Sequence, residues 1–263
     1  MTMPLESIDG FPFPASASRG TEERALALAA RAASALDWHA EQLGWRPKLR
    51  LTIADADDWA GVANVPIYGV PQTWGDHTIL AADDAPLFRE LSADLLAHAP
   101  PAEANRLRDT YGDPPVLVGY FDQFLPHELV HLFCEQASVA PAPLWIVELF
   151  CNLGMVGYLA TNEPGSLPLL RTATDASAHI PISERPVHDL DDMERSFEAG
   201  QLAFGWYILR LTALADRLWH EADEGLYRSF YDRLRQADEP VNRADLEALD
   251  PTVGPALAAW PQV

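Results

Sequence analysis

Five residues, HELVH at 127–131, have the types and spacing that could do chemistry. On a helix, positions i and i+4 share a face, so His127 and His131 can direct their rings at one ion over bonds of about 2.0–2.1 Å. Glu128 neighbours the first histidine and reaches a water on that ion without binding the metal itself. Metal-assisted hydrolysis is the chemistry this pattern suits. The competing reading is an amphipathic helix with two surface histidines.

A catalytic zinc site takes three protein ligands and leaves a fourth position for water. The third must come from elsewhere. Glu148 stands inside PLWIVELFCNL, among Trp, Ile, Val, Leu and Phe. A carboxylate buried there without a partner costs several kcal/mol, and a metal ion offsets that cost. The alternatives are a buried Glu paired with Arg, or a solvent-facing stripe. Asn152 follows one helical turn later and could hold the free ring nitrogen of a ligand histidine. Cys134 and Cys151 each fall three residues after a proposed ligand. They read as small buried hydrophobes beside the site, with a disulfide or a metal role as the alternative.

The surrounding elements follow from periodicity. Residues 21–45 read as a helix capped by Thr21, and 48–55 as a strand. HTILA (77–81) reads as a second strand and VPIYGV (65–70) as a third, shorter one. Helical pattern returns at 85–99 and 102–112. Asp113-Pro114-Pro115 reads as the start of a helix running toward Gln136, kinked or restarted at Pro126. An almost wholly apolar helix is expected over 143–160. The polar stretch 162–190 reads as a loop region suited to a lid, followed by one long helix over 192–222 and another over 225–238. Strands mixed with helices, then helices alone, predict an α+β, helix-rich fold: a small mixed β-sheet with helices in an N-terminal lobe (about 1–137), packed on an all-helical lobe (138–263). The metal site would lie between the lobes of a single domain.

Composition narrows the partners. The chain has 263 residues, 48% of them hydrophobic, and a formal charge of −21 from 18 basic and 39 acidic side chains. Such a surface repels phosphate backbones, so no nucleic-acid partner is expected. The N-terminal segment lacks the basic and apolar regions of a signal peptide, and no run of 18 uninterrupted apolar residues occurs. The expectation is a cytoplasmic protein with no membrane partner.

These residues resemble the gluzincin zinc metallopeptidases, the clan of the thermolysin-like enzymes and the leukotriene-hydrolase-like aminopeptidases. The resemblance covers LPHELVHLF (125–133), PLWIVELF (143–150) with its Trp three residues before the acidic ligand, and SFEAGQLAFGWYILRL (196–211), about a third of the chain in the right order. It implies a zincin-like fold, one Zn2+ held by His127, His131 and Glu148, Glu128 as general base, and a peptide or protein substrate. It also implies that an edge strand within 63–82 pairs with the substrate backbone. Three departures stand out. Leu149 and Cys151 replace the small residues that follow the third ligand in the clan, and Phe197 falls where a transition-state Tyr is expected. GVANVP (61–66) only echoes the segment with which the aminopeptidases anchor a free amino terminus. With Phe197 unable to donate a hydrogen bond, the candidates for stabilising an oxyanion are Tyr68, Tyr120, Tyr207, His179, His188 and Gln201. The alternatives to an active zinc peptidase are a catalytically degenerate zinc-binding protein of the same fold, a zinc hydrolase of non-peptide amides, and a metal-free helical protein.

Overall fold

The computed structural model describes residues 5–262. In chain order the elements are β1 (Glu6–Ile8), β2 (Ala15–Ala17), α1 (Glu22–Leu43), β3 (Arg50–Ala54), α2 (Ala56–Val62), β4 (Gln72–Trp74) and β5 (His77–Ala81). Then come α3 (Pro86–His98), α4 (Pro101–Tyr111), α5 (Val118–Asp122), α6 (Phe124–Gln136), α7 (Leu144–Asn162) and α8 (Leu167–Ser177). A 3-10 turn (Leu190–Arg195), α9 (Ser196–Ala199), α10 (Gln201–Glu221), α11 (Leu226–Gln236), α12 (Arg243–Glu247) and α13 (Val253–Ala258) complete the described chain. The fold is α+β and helix-rich, as the order of patterns predicts. The strands form one mixed sheet, ordered β1-β2-β3-β5-β4. β3 pairs in parallel with both β2 and β5, and the two edge strands pair antiparallel with their neighbours. One continuous hydrophobic core runs through both halves of the chain.

α7 is the axis of that core. Nearly every residue from Trp145 to Leu159 is buried, which its all-round apolar sequence requires. It is long and apolar enough to cross a membrane by length and composition alone, and 78% of that window is packed inside the fold. Two glycines let its neighbours approach. A Cβ at Gly154 would lie 2.7 Å from Val130 of α6 and from the Tyr227 hydroxyl, and one at Gly157 would lie 2.5 Å from Trp219. Val130 sits against Gly154, His127 reaches Asn152 and His131 reaches Glu148. The two helices therefore run antiparallel.

α6 departs from the expected helix at its start. No helix begins at Asp113; residues 113–117 form a turn, and α5 and α6 are separated at Gln123. Pro126 falls in the first turn of α6, where a missing N–H costs least. The carbonyl four residues before it, that of Asp122, accepts a 2.6 Å hydrogen bond from Arg31 of α1. Arg31 also bonds Gln123 and pairs with Glu163, so one part-buried guanidinium fixes the entry to α6 and the exit of α7.

Other expectations are corrected. Thr21 occupies the cap position of α1 without capping it; its hydroxyl donates to Ser18 O instead. VPIYGV is irregular, and the strand lies after it, at β4. Residues 167–177 of the expected loop form α8, packed on α4 and α10, so 162–190 is not one continuous loop. The expected helix over 192–222 breaks at Gly200, whose φ of 109° is a conformation L side chains rarely adopt.

Candidate metal centre

The antiparallel α6–α7 pair brings three donors together. His127 Nε2 lies 3.1 Å from His131 Nε2 and 3.2 Å from Glu148 Oε2, and His131 Nε2 lies 3.6 Å from Glu148 Oε1. Bonds of about 2.0–2.1 Å at tetrahedral angles separate nitrogen and oxygen donors by about 3.3 Å. The donors therefore stand about as far apart as neighbouring ligands on a zinc ion, each histidine meeting a different oxygen of Glu148. The second nitrogen of His127 is also committed. Nδ1 lies 3.2 Å from Asn152 Oδ1, which accepts a further bond from Thr212. With Nδ1 donating to Asn152, Nε2 carries the lone pair toward the other two donors. Tyr120, beyond Thr212 at 3.5 Å, ends this chain of contacts.

Cys151 is a second candidate for the third position, since its sulfur and one ring nitrogen of each of His127 and His131 lie within 4.8 Å of one another. The Glu148 oxygens, at 3.2 and 3.6 Å from the two histidines, match the tetrahedral edge. Burial and the adjacent Cys134 push the Cys151 thiol well up, so it stays protonated, while Glu148 is ionised. Without a metal the carboxylate is already in its ligand form, whereas the thiol must release a proton to bind. Both cysteines are buried and free, as expected of small hydrophobes beside the site.

Electrostatics follow from burying four titratable groups together. Burial pushes Glu128 up to about 7, with the Glu148 charge adding to the shift and His127 opposing it. Burial works to lower His127, but the hydrogen bond and charge of Glu148 outweigh it and hold His127 above its ordinary range. Burial drives His131 down to about 4. Glu148 is held below its ordinary value because its two histidines outweigh desolvation. A carboxyl that titrates near 7 is suited to accepting and returning a proton at neutral pH.

Access comes from one side. A pocket of about 690 Å³ is lined by His127, Glu128, His131 and Glu148 at its base, by Gln72 and Thr73 of the edge strand, and by Phe121, Phe197 and Phe204. Thr73 donates to the backbone oxygen of Glu128 at 2.9 Å, fastening β4 to α6. Trp145 Nε1 donates to Asp191 at 2.9 Å and anchors the first turn of α7.

None of the six oxyanion candidates lines this pocket. Tyr68 bonds Asp83, Tyr207 donates to Asp189 O, and Tyr120 is buried toward Thr212. His179 lines a different pocket with Arg210, and His188 bonds Arg185 O. Gln201 lies across the Gly200 break, in an adjoining chamber. Gln72 and Thr73, which do line the pocket, were not singled out among the site candidates; the only sequence signal for them is that they fall within the stretch expected to hold an edge strand. Comparison with protein-family models, with curated proteins and with solved structures finds no match.

Proposed function

We propose that this protein is a zinc-dependent peptidase, a divergent relative of the gluzincins, with His127, His131 and Glu148 as metal ligands and Glu128 as general base. The observation that carries the reading is the donor triangle, closed by two helices at the spacing of a zinc tetrahedron, with a buried carboxyl beside it. A zinc ion there would supply Lewis acidity for the scissile carbonyl and acidify a water. Glu128 takes the proton of the attacking water and returns it to the leaving amine. Asn152 holds His127 in the tautomer that leaves Nε2 to bind. β4 is an edge strand at the pocket, which suits main-chain pairing with an extended peptide.

The test has two parts. Elemental analysis of protein purified without chelator or metal-affinity resin should give about one zinc per chain, and the zinc-loaded protein should cleave members of a peptide library. Glu128→Gln should retain zinc and lose hydrolysis. A zinc ratio near zero that persists after zinc addition and dialysis would sink the reading. One observation favours a second reading, a zinc-stabilised binding protein without catalysis. Phe197 lines the pocket where the clan's Tyr is expected, and the described lining includes no side-chain hydroxyl or amide other than Gln72 and Thr73. Both are engaged within the fold, Gln72 by Asn64 and Val65, and Thr73 by Thr78 and Glu128. On that reading, wild type and Glu128→Gln bind peptide alike and neither cleaves it.

A further inference from the structure

We infer that this protein has a second binding site, for a small organic cation with an alkylated ammonium head, on the side of α7 turned away from the metal centre. The site is a cavity of about 1040 Å³, part of it open to solvent, where α1, α7, α10 and α11 meet. Trp38, Trp219 and Tyr227 give it an aromatic wall, and Asp223 and Glu224, from the connection between α10 and α11, complete its lining. Among the described residues it shares no lining with the metal pocket. Gly157 of α7, against which Trp38 and Trp219 pack, follows Glu148 by nine residues. That is about two and a half turns at 3.6 residues per turn, so the two positions face opposite ways. The inference stands independently of the peptidase reading.

The aromatic wall is built and fixed by packing. Trp38 stacks on Tyr227 with centroids 5.9 Å apart and an interplanar angle of 12°, and Trp219 tilts by 58° against Trp38 at 6.3 Å. A tilted ring beside a stacked pair leaves a wedge bounded by π-surface. Gly157 sets the base of that wedge, since a Cβ there would lie 2.5 Å from Trp219 and 2.9 Å from Trp38. The Tyr227 hydroxyl is engaged with His39 Nδ1 at 3.0 Å in the core, so this ring brings no hydroxyl to the cavity. Ring faces carry partial negative charge and attract a cation within about 6 Å of the centroid. Asp223 and Glu224 are exposed, and among the described residues neither carboxylate has a hydrogen-bond or ion-pair partner. No Lys or Arg is among the described lining residues. Arg228, which reaches the Gln42 carbonyl beside it, is paired with Asp232, and His220 commits its ring nitrogens to Asp216 O and Arg171. This combination selects the ligand. A hard divalent cation asks for several converging oxygens, which an aromatic wall does not supply. An anion is repelled, and a neutral apolar molecule gains nothing from the carboxylates. An alkylated ammonium is weakly hydrated, lays its methyl groups on the rings and places its charge where rings and carboxylates both attract it. The formal charge of −21 raises the local concentration of such cations.

The probes are choline, its neutral analogue in which carbon replaces the quaternary nitrogen, and potassium ion. Calorimetry on the full chain should show choline binding about tenfold or more tighter than the neutral analogue, with potassium competing poorly. Trp219→Leu, which keeps an apolar side chain and removes the ring, should weaken choline binding by about tenfold, and Trp219→Phe should recover part of that loss. The double variant Asp223→Asn, Glu224→Gln should weaken it several-fold and flatten its dependence on salt. Both of those residues are exposed, so this variant tests the site even where a change at Trp219 prevents folding. Choline that fails to bind, or binds no tighter than its neutral analogue, overturns the inference. So does choline binding that potassium displaces equally well or that a folded Trp219→Leu leaves unchanged, because the carboxylates alone would then account for it.

Discussion

Replacing Glu128 by Gln should stabilise the metal-free protein in a pH-dependent way. Burial moves this carboxyl from an ordinary 4.5 to about 7. Between those values the unfolded chain has released a proton that the folded chain keeps, so stability falls as pH rises through the window. At about 1.4 kcal/mol per pH unit, the interval corresponds to roughly 3 kcal/mol lost once the pH exceeds 7. The amide has nearly the same shape and cannot ionise, so it escapes the loss. The stability difference, variant minus wild type, should be near zero at about pH 4.5 and reach roughly 3 kcal/mol at about pH 8. His127 and Glu148 titrate in both proteins and largely cancel in the difference. Urea denaturation of chelator-treated protein at several pH values measures it. Loading with zinc should shrink the advantage, because a cation beside Glu128 favours its ionised form. A difference that stays constant across the window, or favours the wild type at high pH, would refute the claim that burial dominates at Glu128.

Three further outcomes are expected. Glu148→Ala should abolish zinc binding and the thermal stabilisation that saturating zinc confers, about 4 kcal/mol at a thousandfold excess over Kd, whereas Cys151→Ser should keep both; the reverse pattern would make Cys151 the third ligand. Asn152→Ala should weaken zinc binding by about 10–100-fold by freeing the His127 ring, and Asn152→Asp, which keeps an acceptor at that position, should recover most of it in a competition titration with a zinc dye. Gly154→Ala places a Cβ 2.7 Å from Val130, which must push α7 away from α6 and widen the donor triangle, so zinc affinity should drop along with about 1–3 kcal/mol of stability. Gly165→Ala, with open space around it, should change neither.

Long periodic segments were legible because packing and pattern agree there. α1, α3, α4, α7 and α11 lie close to where their apolar spacing puts them. So do HELVH on a buried helix and Glu148 opposite it, because a carboxylate in an apolar run has few ways to be stable. Strands β1, β2 and β4 have only three residues each, too few for alternation to register. The break at Gly200 was hidden because a lone glycine in a helical pattern is usually tolerated, and only the φ of 109° reveals the turn. The oxyanion candidates lie off the pocket for a reason that sequence does not display. Tyrosine and histidine types are visible in sequence, but whether a hydroxyl faces a cleft or a neighbouring carbonyl is decided by packing.

The ligand positions lie 21 apart in sequence, on consecutive helices joined by residues 137–143. Closing so short a connection costs little chain entropy, and contacts this local form early in folding. The pocket in front of the proposed ligands is assembled differently: β4 arrives from about fifty residues upstream of them, and Phe197 from about fifty downstream. On the proposed reading, metal capture and cleft formation are therefore separable events. On that reading, a variant altered around Phe197 would keep its ion between α6 and α7 and still lack a place for a peptide, so zinc content alone would not certify an assembled cleft.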